Sequence, residues 1–263
     1  MMYEIQTYLG ADGLMHCTVC KEPVEAFYPK GSLLEMRKHH RQCACERKAY
    51  AEEAQYYKEK EHRELIARNK KICFEEKEME GFTFQNVERD SGVIRIAEEY
   101  VTNWQKMKQN HMGYLFWGPV GTGKSYLAAC IANALLEKEV TVKMTNFNTI
   151  LNDLFAAEDK TEYIRLLNGY ELLIIDDLGV ERSSEYALEN IFSVIDWRYR
   201  SGKPLIITTN LPLAQLKQET KIEKKRIYDR ILERCIPVKI DGVSRREAMA
   251  NDNMQTMKNI LKI

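Results

Sequence analysis

The sequence has no surplus of charge, no long apolar run and no basic leader, and each absence excludes something. Lysine plus arginine and aspartate plus glutamate both number 39 in 263 residues, for a formal net charge of zero. A chain so balanced has no overall attraction for nucleic acid or an anionic membrane, so any DNA contact must be a local patch. No stretch approaches the ~20 apolar residues that span a bilayer, and Met1 to Gly10 has neither a basic start nor an apolar core. The expectation is a cytoplasmic protein with no membrane partner. In a reducing compartment the seven cysteines are poor disulfide candidates, so a tight cluster among them points to metal.

What is present is enough apolar material, 44% of residues, for a real core. The length allows one ordinary domain and a smaller one. The stretch with most information is 112–125. Tyr114 to Trp117 reads as a strand, Gly118-x4-Gly123-Lys124-Ser125 follows at once, and Tyr126 to Lys138 has apolar residues at helical spacing. Strand, glycine loop and helix form a phosphate cradle, because successive backbone N–H groups at a helix start converge on phosphate oxygens. Gly118, Pro119, Val120, Gly121, Thr122, Gly123, Lys124, Ser125 and Tyr126 are the candidate ATP-binding residues. Lys124 reaches the β- and γ-phosphates and the Ser125 hydroxyl ligates Mg²⁺. A glycine turn that binds nothing is the alternative, and the flanking strand and helix argue against it.

Downstream, Val140 to Thr145 alternates like a strand, Phe147 to Ala157 is helical, and Leu172 to Asp177 is a buried strand ending in two carboxylates. Ser183 to Ser201 is a helix, Pro204 to Asn210 a strand, Lys224 to Arg234 a basic helix and Pro237 to Ile240 a strand. Gly92 to Met107 reads as one helix ahead of them. Alternating strands and helices predict an α/β fold, a parallel sheet with helices on both faces. Asp176 at the carboxyl end of its strand is placed to hold Mg²⁺ with Ser125, and Asp177 to orient or deprotonate the attacking water. Asn210 bonds the water or γ-phosphate if its strand lies beside that of Asp176; a turn-forming asparagine is the alternative. Arg226, Arg230 and Arg234 share one helix face, either a solvated stripe or a source of one arginine for a neighbouring subunit. Ser244-x-x-Glu247 has the form of a capping box, with Arg245 and Arg246 in a first turn where cations are unfavourable unless an anion is near.

At the amino-terminal side, Cys17-x-x-Cys20 and Cys43-x-Cys45 are separated by 22 residues. Two thiolate pairs make a tetrahedral shell for Zn²⁺ and close a small lobe that has no core of its own. The second pair is CxC rather than CxxC, so His16, His39 or His40 remains a candidate fourth ligand; unrelated buried cysteines or a redox pair are the other readings. Glu46 to Glu80 is dense in Glu, Lys, Arg and Tyr, with a thin stripe through Leu65, Ile66, Ile72 and Phe74. That pattern predicts a helical linker ended by Gly81, or less readily a partner-binding helix. The organisation is a zinc-binding lobe over 1–48, a charged helical linker over 49–80 and a nucleotide-binding domain over 81–263.

Taken together, the glycine loop, Leu-Leu-Ile-Ile-Asp-Asp-Leu-Gly, Ile-Ile-Thr-Thr-Asn-Leu and Arg226-Ile-Tyr-Asp-Arg-Ile231 resemble the DnaC/DnaI replicative helicase loaders. This is the AAA+ group of P-loop NTPases that also holds the IstB transposition ATPases. The resemblance covers about 80–250, and the cysteine pairs resemble the zinc lobe of loaders from Gram-positive bacteria and their phages, which implies a helicase-interaction lobe over 1–48 and an AAA+ ATPase domain over 81–263. It implies that Lys124, Ser125 and Asp176 bind Mg-ATP, that Asn210 is sensor 1, that Arg230 is an arginine finger acting on the adjacent subunit, and that Arg246, less securely Arg245, is sensor 2. It implies a slow, partner-stimulated ATPase, homo-oligomers joined through ATP sites, and two partners: the replicative DNA helicase and single-stranded DNA. Phe147, Phe155 and Tyr163 lie in a plausible region for that strand. Two features depart from the pattern: Asp177 stands where many AAA+ proteins have Glu, and Gly-Val-Ser-Arg-Arg lacks the aromatic usual before sensor 2. An IstB-like ATPase on duplex DNA and an adaptor that binds ATP with little hydrolysis are the rival readings.

Overall fold

The computed structural model describes residues 6–34, 37–86, 92–179, 184–242 and 244–261, without the side chains of 245, 247–249, 251 and 259. The chain divides into two units, Met1–Leu65 and Ile66–Ile263. In the first, β1 (Thr7–Leu9) pairs antiparallel with β2 (Met15–Cys17), and β3 (Glu25–Phe27) with β4 (Lys38–His40). Helix α1 (Ala44–Cys73) begins in this unit and ends in the second. Among the described residues, Cys17, Val24 and Cys43 form its buried apolar cluster, with Met15, Cys20 and Cys45 packed against them.

The second unit is built on a five-stranded sheet. Helices α2 (Gly92–Thr102) and α3 (Trp104–Gln109) precede β5 (Gly113–Trp117), which leads through the glycine loop into α4 (Lys124–Leu136). Then come β6 (Val142–Asn146), α5 (Phe147–Ala156), α6 (Lys160–Gly169) and β7 (Leu172–Leu178). After them follow α7 (Glu185–Ser201), β8 (Leu205–Thr209), α8 (Leu213–Lys217), α9 (Ile222–Arg234), β9 (Cys235–Lys239) and α10 (Arg245–Leu261). The strands lie in the order β6-β7-β8-β5-β9, every pair parallel. Burial on both faces explains their continuous apolar runs. Tyr114 and Phe116 of β5, with Leu172 and Ile174 of β7, join one core cluster with α2 and α4; Leu115, Leu173 and Ile175 join another with α5, α6, α7 and α9. That alternation is the period-two geometry of a strand, and it gives the helix-sheet-helix layering expected from the sequence.

Three local expectations change. The helix read over 92–107 is interrupted at Asn103, whose Nδ2 donates to the Glu99 backbone oxygen and carboxylate and so competes with continued helix. The helical stretch expected to reach Gly81 stops at Cys73, and a short 3₁₀ turn occupies Lys77–Gly81. Cys73 and Phe74 are buried in the core of the second unit, so this end of α1 is not a solvated connector. Helix α6, capped by the Asp159 carboxylate at the amides of Thr161 and Glu162, has no counterpart in the sequence reading.

Candidate nucleotide site and metal centre

The glycine loop sits at the carboxyl end of β5, where β8 and β9 flank it. At Gly118, with φ +147°, a Cβ would lie 2.2 Å from the Ile240 carbonyl oxygen; at Gly121, with φ +79°, it would lie 2.3 Å from Ser244 Oγ. Side chains are therefore excluded at both places, and the loop passes against the residue that precedes α10. Lys124 is 5% exposed and its Nζ donates to the carbonyls of Gly118 at 3.0 Å and Pro119 at 2.6 Å. Burial pushes the Lys124 pKa down, opposed by Asp177 and Asp176, while Arg246 adds to the depression. Two acids and Arg246 thus act electrostatically on the loop lysine. The Thr122 hydroxyl closes the turn on the Pro119 carbonyl at 2.9 Å.

The acidic tip of β7 meets the start of α4 directly. Thr208 of β8 donates to Asp176 Oδ1, and the Ser125 hydroxyl faces the same carboxylate. Burial, above all, raises the Asp176 pKa, and these two hydroxyls oppose the rise. A hydroxyl and a carboxylate facing one another at a helix start are hard oxygen donors that suit Mg²⁺ bound together with phosphates. Asn210 Nδ2 donates to Asp177 Oδ1 at 3.4 Å, and β8 does lie beside β7, the condition on which its sequence reading depended. Asp177 is exposed and has φ +57°. Aspartate tolerates this left-handed conformation better than most residues, which gives a backbone reason for the departure from Glu.

Tyr126, the last residue of the loop motif, stacks on Phe82 with ring centroids 4.4 Å apart, and its hydroxyl donates to the Thr83 carbonyl at 3.3 Å. Asn133 Nδ2 holds the same segment through the carbonyls of Met79 and Phe82. Arg230 stands apart from the loop contacts. Its Nε donates to Asp196 Oδ1 at 2.8 Å and its Nη1 to the Arg226 carbonyl at 3.1 Å, over the rings of Phe192 and Tyr199. Its Nη2 makes no hydrogen bond among the described residues. Asp196 also takes Arg200 at 2.8 Å. Arg245 and Glu247 lie outside the described side chains, so the capping box and Arg245, the less secure choice for sensor 2, have no structural account.

The sequence reading passed over three contributors. Thr208 sits in the quoted Thr-Thr-Asn motif without a role. Asp196 lies in an ordinary helical stretch with no outward signal. Arg198 is 1% exposed and donates to the carbonyls of Tyr170, Glu171 and Pro204, tying the starts of β7 and β8 together; burial brings its pKa down to about 9. Of the three aromatics offered for a DNA strand, Phe147 is 1% exposed and belongs to the core, because it opens α5 against the sheet, whereas Phe155 is 82% exposed. The Tyr163 hydroxyl is engaged by Asp153 at 2.8 Å.

In the first unit the sulfur atoms of Cys17, Cys20, Cys43 and Cys45 all lie within 4.8 Å of one another. No histidine joins that group among the described residues. His16 contacts Asp12 and the Lys21 carbonyl, His39 the His40 carbonyl, and His40 Nε2 lies 3.1 Å from Glu46. The Glu22 backbone amide, above all, brings the Cys20 thiol down to about 6, while burial pushes that of Cys45 up to about 11. Four soft donors in two close pairs fit a structural Zn²⁺.

Comparison with known proteins agrees with this geometry. The family described as "IstB-like ATP binding protein" matches residues 49–252. The replicative helicase loader DnaC of Escherichia coli (strain K12) is 29% identical over 149 residues, covering 55% of this chain and 58% of DnaC. The replicative helicase loader DnaI of Bacillus subtilis (strain 168) is 24% identical over 192 residues, 67% of this chain and 62% of DnaI. The chain thus spans about three fifths of the length of these relatives. A crystal structure of DnaI superposes with a TM-score of 0.58 at 25% identity, covering 68% of this chain and 99% of that one. A crystal structure of the DnaC helicase loader does so at 0.53 and 22% identity, over 63% and 100%. The five-stranded parallel sheet flanked by helices is the AAA+ fold that the sequence implied. A glycine loop, a buried lysine and an acidic strand tip on that sheet, with a family match over most of the chain, make this protein a member of the IstB-like ATP-binding family.

Proposed function

We propose that this chain is an Mg²⁺-dependent ATPase that loads the replicative DNA helicase onto single-stranded DNA. The observation that carries the reading is the Asp176 carboxylate facing the Ser125 hydroxyl beside the buried Lys124. In a chain similar to DnaC and DnaI, that grouping at the carboxyl ends of the central strands supports a magnesium-ligand pair next to a phosphate-binding ammonium. Magnesium bound by Ser125 and Asp176 would neutralise charge on the β- and γ-phosphates. This chain's own residues do the rest: Lys124 grips the phosphates, Asp177 and Asn210 orient water, and Arg246 completes the γ-phosphate side. Arg230 acts in trans as the finger of the next subunit. Its Nε and Nη1 are held, and the free Nη2 edge is the part that can meet a neighbour's phosphate. Subunits therefore assemble through their ATP sites, and hydrolysis is slow until partners are present. The zinc-bound lobe and the start of α1 grip the helicase, and the exposed Phe155 offers a ring to bases.

The test is size-exclusion chromatography of the purified chain with the replicative helicase of its host, with and without ATP. Co-elution is the expected outcome, and its absence under both conditions overturns the loader reading. The IstB description of the family favours one rival, an ATPase that serves a transposase on duplex DNA. Co-elution with a transposase, and none with helicase, would install that reading.

A further inference from the structure

Asp176 and Asp177 are consecutive in a strand, and consecutive residues of a regular strand point to opposite faces of the sheet. Yet both carboxylates act on Lys124, one accepting from Thr208 and the other from Asn210. The pairing of β7 with β8 explains how. Ile175 pairs with Ile207 and Leu178 with Thr209, so β7 carries one more residue than β8 across this step. Such an extra residue is a β-bulge, which re-aims side chains and leaves a backbone group without its ladder partner. Asp177, with φ +57°, is the residue that absorbs it.

The unpaired amide is met by Thr208. Asp177 N donates to Thr208 Oγ1 at 2.9 Å, and the Thr208 hydroxyl donates to Asp176 Oδ1. The direction of both bonds is forced. An amide can only donate, so the hydroxyl oxygen accepts from Asp177, and its single proton is left for a carboxylate that, when ionised, only accepts. Thr208 is 0% exposed, so water cannot replace either bond. One buried hydroxyl therefore fixes the backbone of one acid and the side chain of the other.

We propose that Thr208 is the positioning residue of the acid pair: it holds the bulge and keeps the Asp176 carboxylate turned toward Ser125. The proposal rests on the reading of Ser125 and Asp176 as magnesium ligands. Valine at 208 keeps the shape and loses both bonds, whereas serine keeps both.

The experiment is calorimetric titration of ATP, with Mg²⁺ and with EDTA, into the wild type, Thr208→Val and Thr208→Ser, alongside thermal unfolding of each. Thr208→Val weakens Mg-ATP binding about tenfold, the usual scale for loss of a buried hydrogen bond to a charged group. Its affinity for ATP in EDTA stays within about twofold of wild type, and Thr208→Ser recovers the Mg-dependent part. Unchanged Mg-ATP binding in Thr208→Val, or equal losses with Mg²⁺ and EDTA, overturns the positioning role, the second outcome marking a structural residue only. A wild type that binds ATP equally with Mg²⁺ and EDTA overturns the magnesium reading itself, and the proposal falls with it. Should Thr208→Val be recovered unfolded, Thr208→Ala removes the same hydroxyl and is judged by the same Mg²⁺ and EDTA comparison.

Discussion

Cys17, Val24 and Cys43 are the buried apolar cluster of the first unit, whereas the second packs two large clusters against opposite faces of its sheet. The strands differ in kind as well. Those of the first unit are three residues long, and β1 and β4 are exposed throughout, while β5, β7 and β8 are buried along most of their length. A small chain with so little apolar burial cannot offset its conformational entropy by packing, and the four clustered sulfurs of Cys17, Cys20, Cys43 and Cys45 are the group that, with a metal bound, would take the place of a core. The lesson is one of division: one unit gathers four sulfurs that could hold a metal, while the other rests on a buried sheet whose carboxyl end is then free to carry charged chemistry.

Removing the metal should separate the two most sharply. Treatment with a strong chelator, or Cys17→Ser with Cys20→Ser, is expected to abolish an equimolar zinc content and unfold the first unit. Structural zinc contributes on the order of 10 kcal/mol to small domains of this kind. Limited proteolysis should then cut before Leu65 while the ATP-binding unit persists; a lobe that stays protected and metal-free would break the comparison.

Within the second unit, Arg230→Ala tests whether the unit is catalytically complete alone. Hydrolysis by the assembled protein should fall by about 10³-fold, with ATP affinity and zinc content unchanged. Equal turnover in the mutant would remove the finger assignment.

The smallest effect expected is a gain. Burial holds the Asp176 pKa above its ordinary value of 3.8, so the folded state keeps a proton that the unfolded state has lost. Stability is therefore lost as pH rises from that value through the folded pKa, and the penalty remains above it. In nucleotide-free protein, Asp176→Asn should melt slightly above wild type at neutral pH, with the gain vanishing below about pH 3.8. The same mutant should lose Mg-ATP binding. A melting point below wild type at neutral pH would show that the sheet edge carries no such strain.

Much of this was legible in the residues. The apolar runs Tyr114–Trp117 and Leu172–Ile175 could only be strands buried on both faces, and the glycines at 118 and 121 could only serve a loop where backbone passes close to other atoms. Phe147 was misplaced because an aromatic at a helix start looks the same whether it faces the sheet or the solvent. Helix α6 escaped notice because its stripe, Ile164 and Leu167, is short among polar neighbours. Asp196 and Arg198 gave no signal, since a buried ionic group is marked only by the partners that surround it.

The sequence by itself determined the five strands of the central sheet in chain order, the nature of the phosphate loop and the two close cysteine pairs. Those features are local: they depend on periodicity, on residues without a Cβ and on pairs a few positions apart. Only the tertiary structure decided that Ser125 meets Asp176, that the histidines stay out of the sulfur cluster, and that Thr208 spans both acids. Each of these joins residues far apart in the chain, through a parallel pairing, a strand slip or a loop closure that no short stretch can encode.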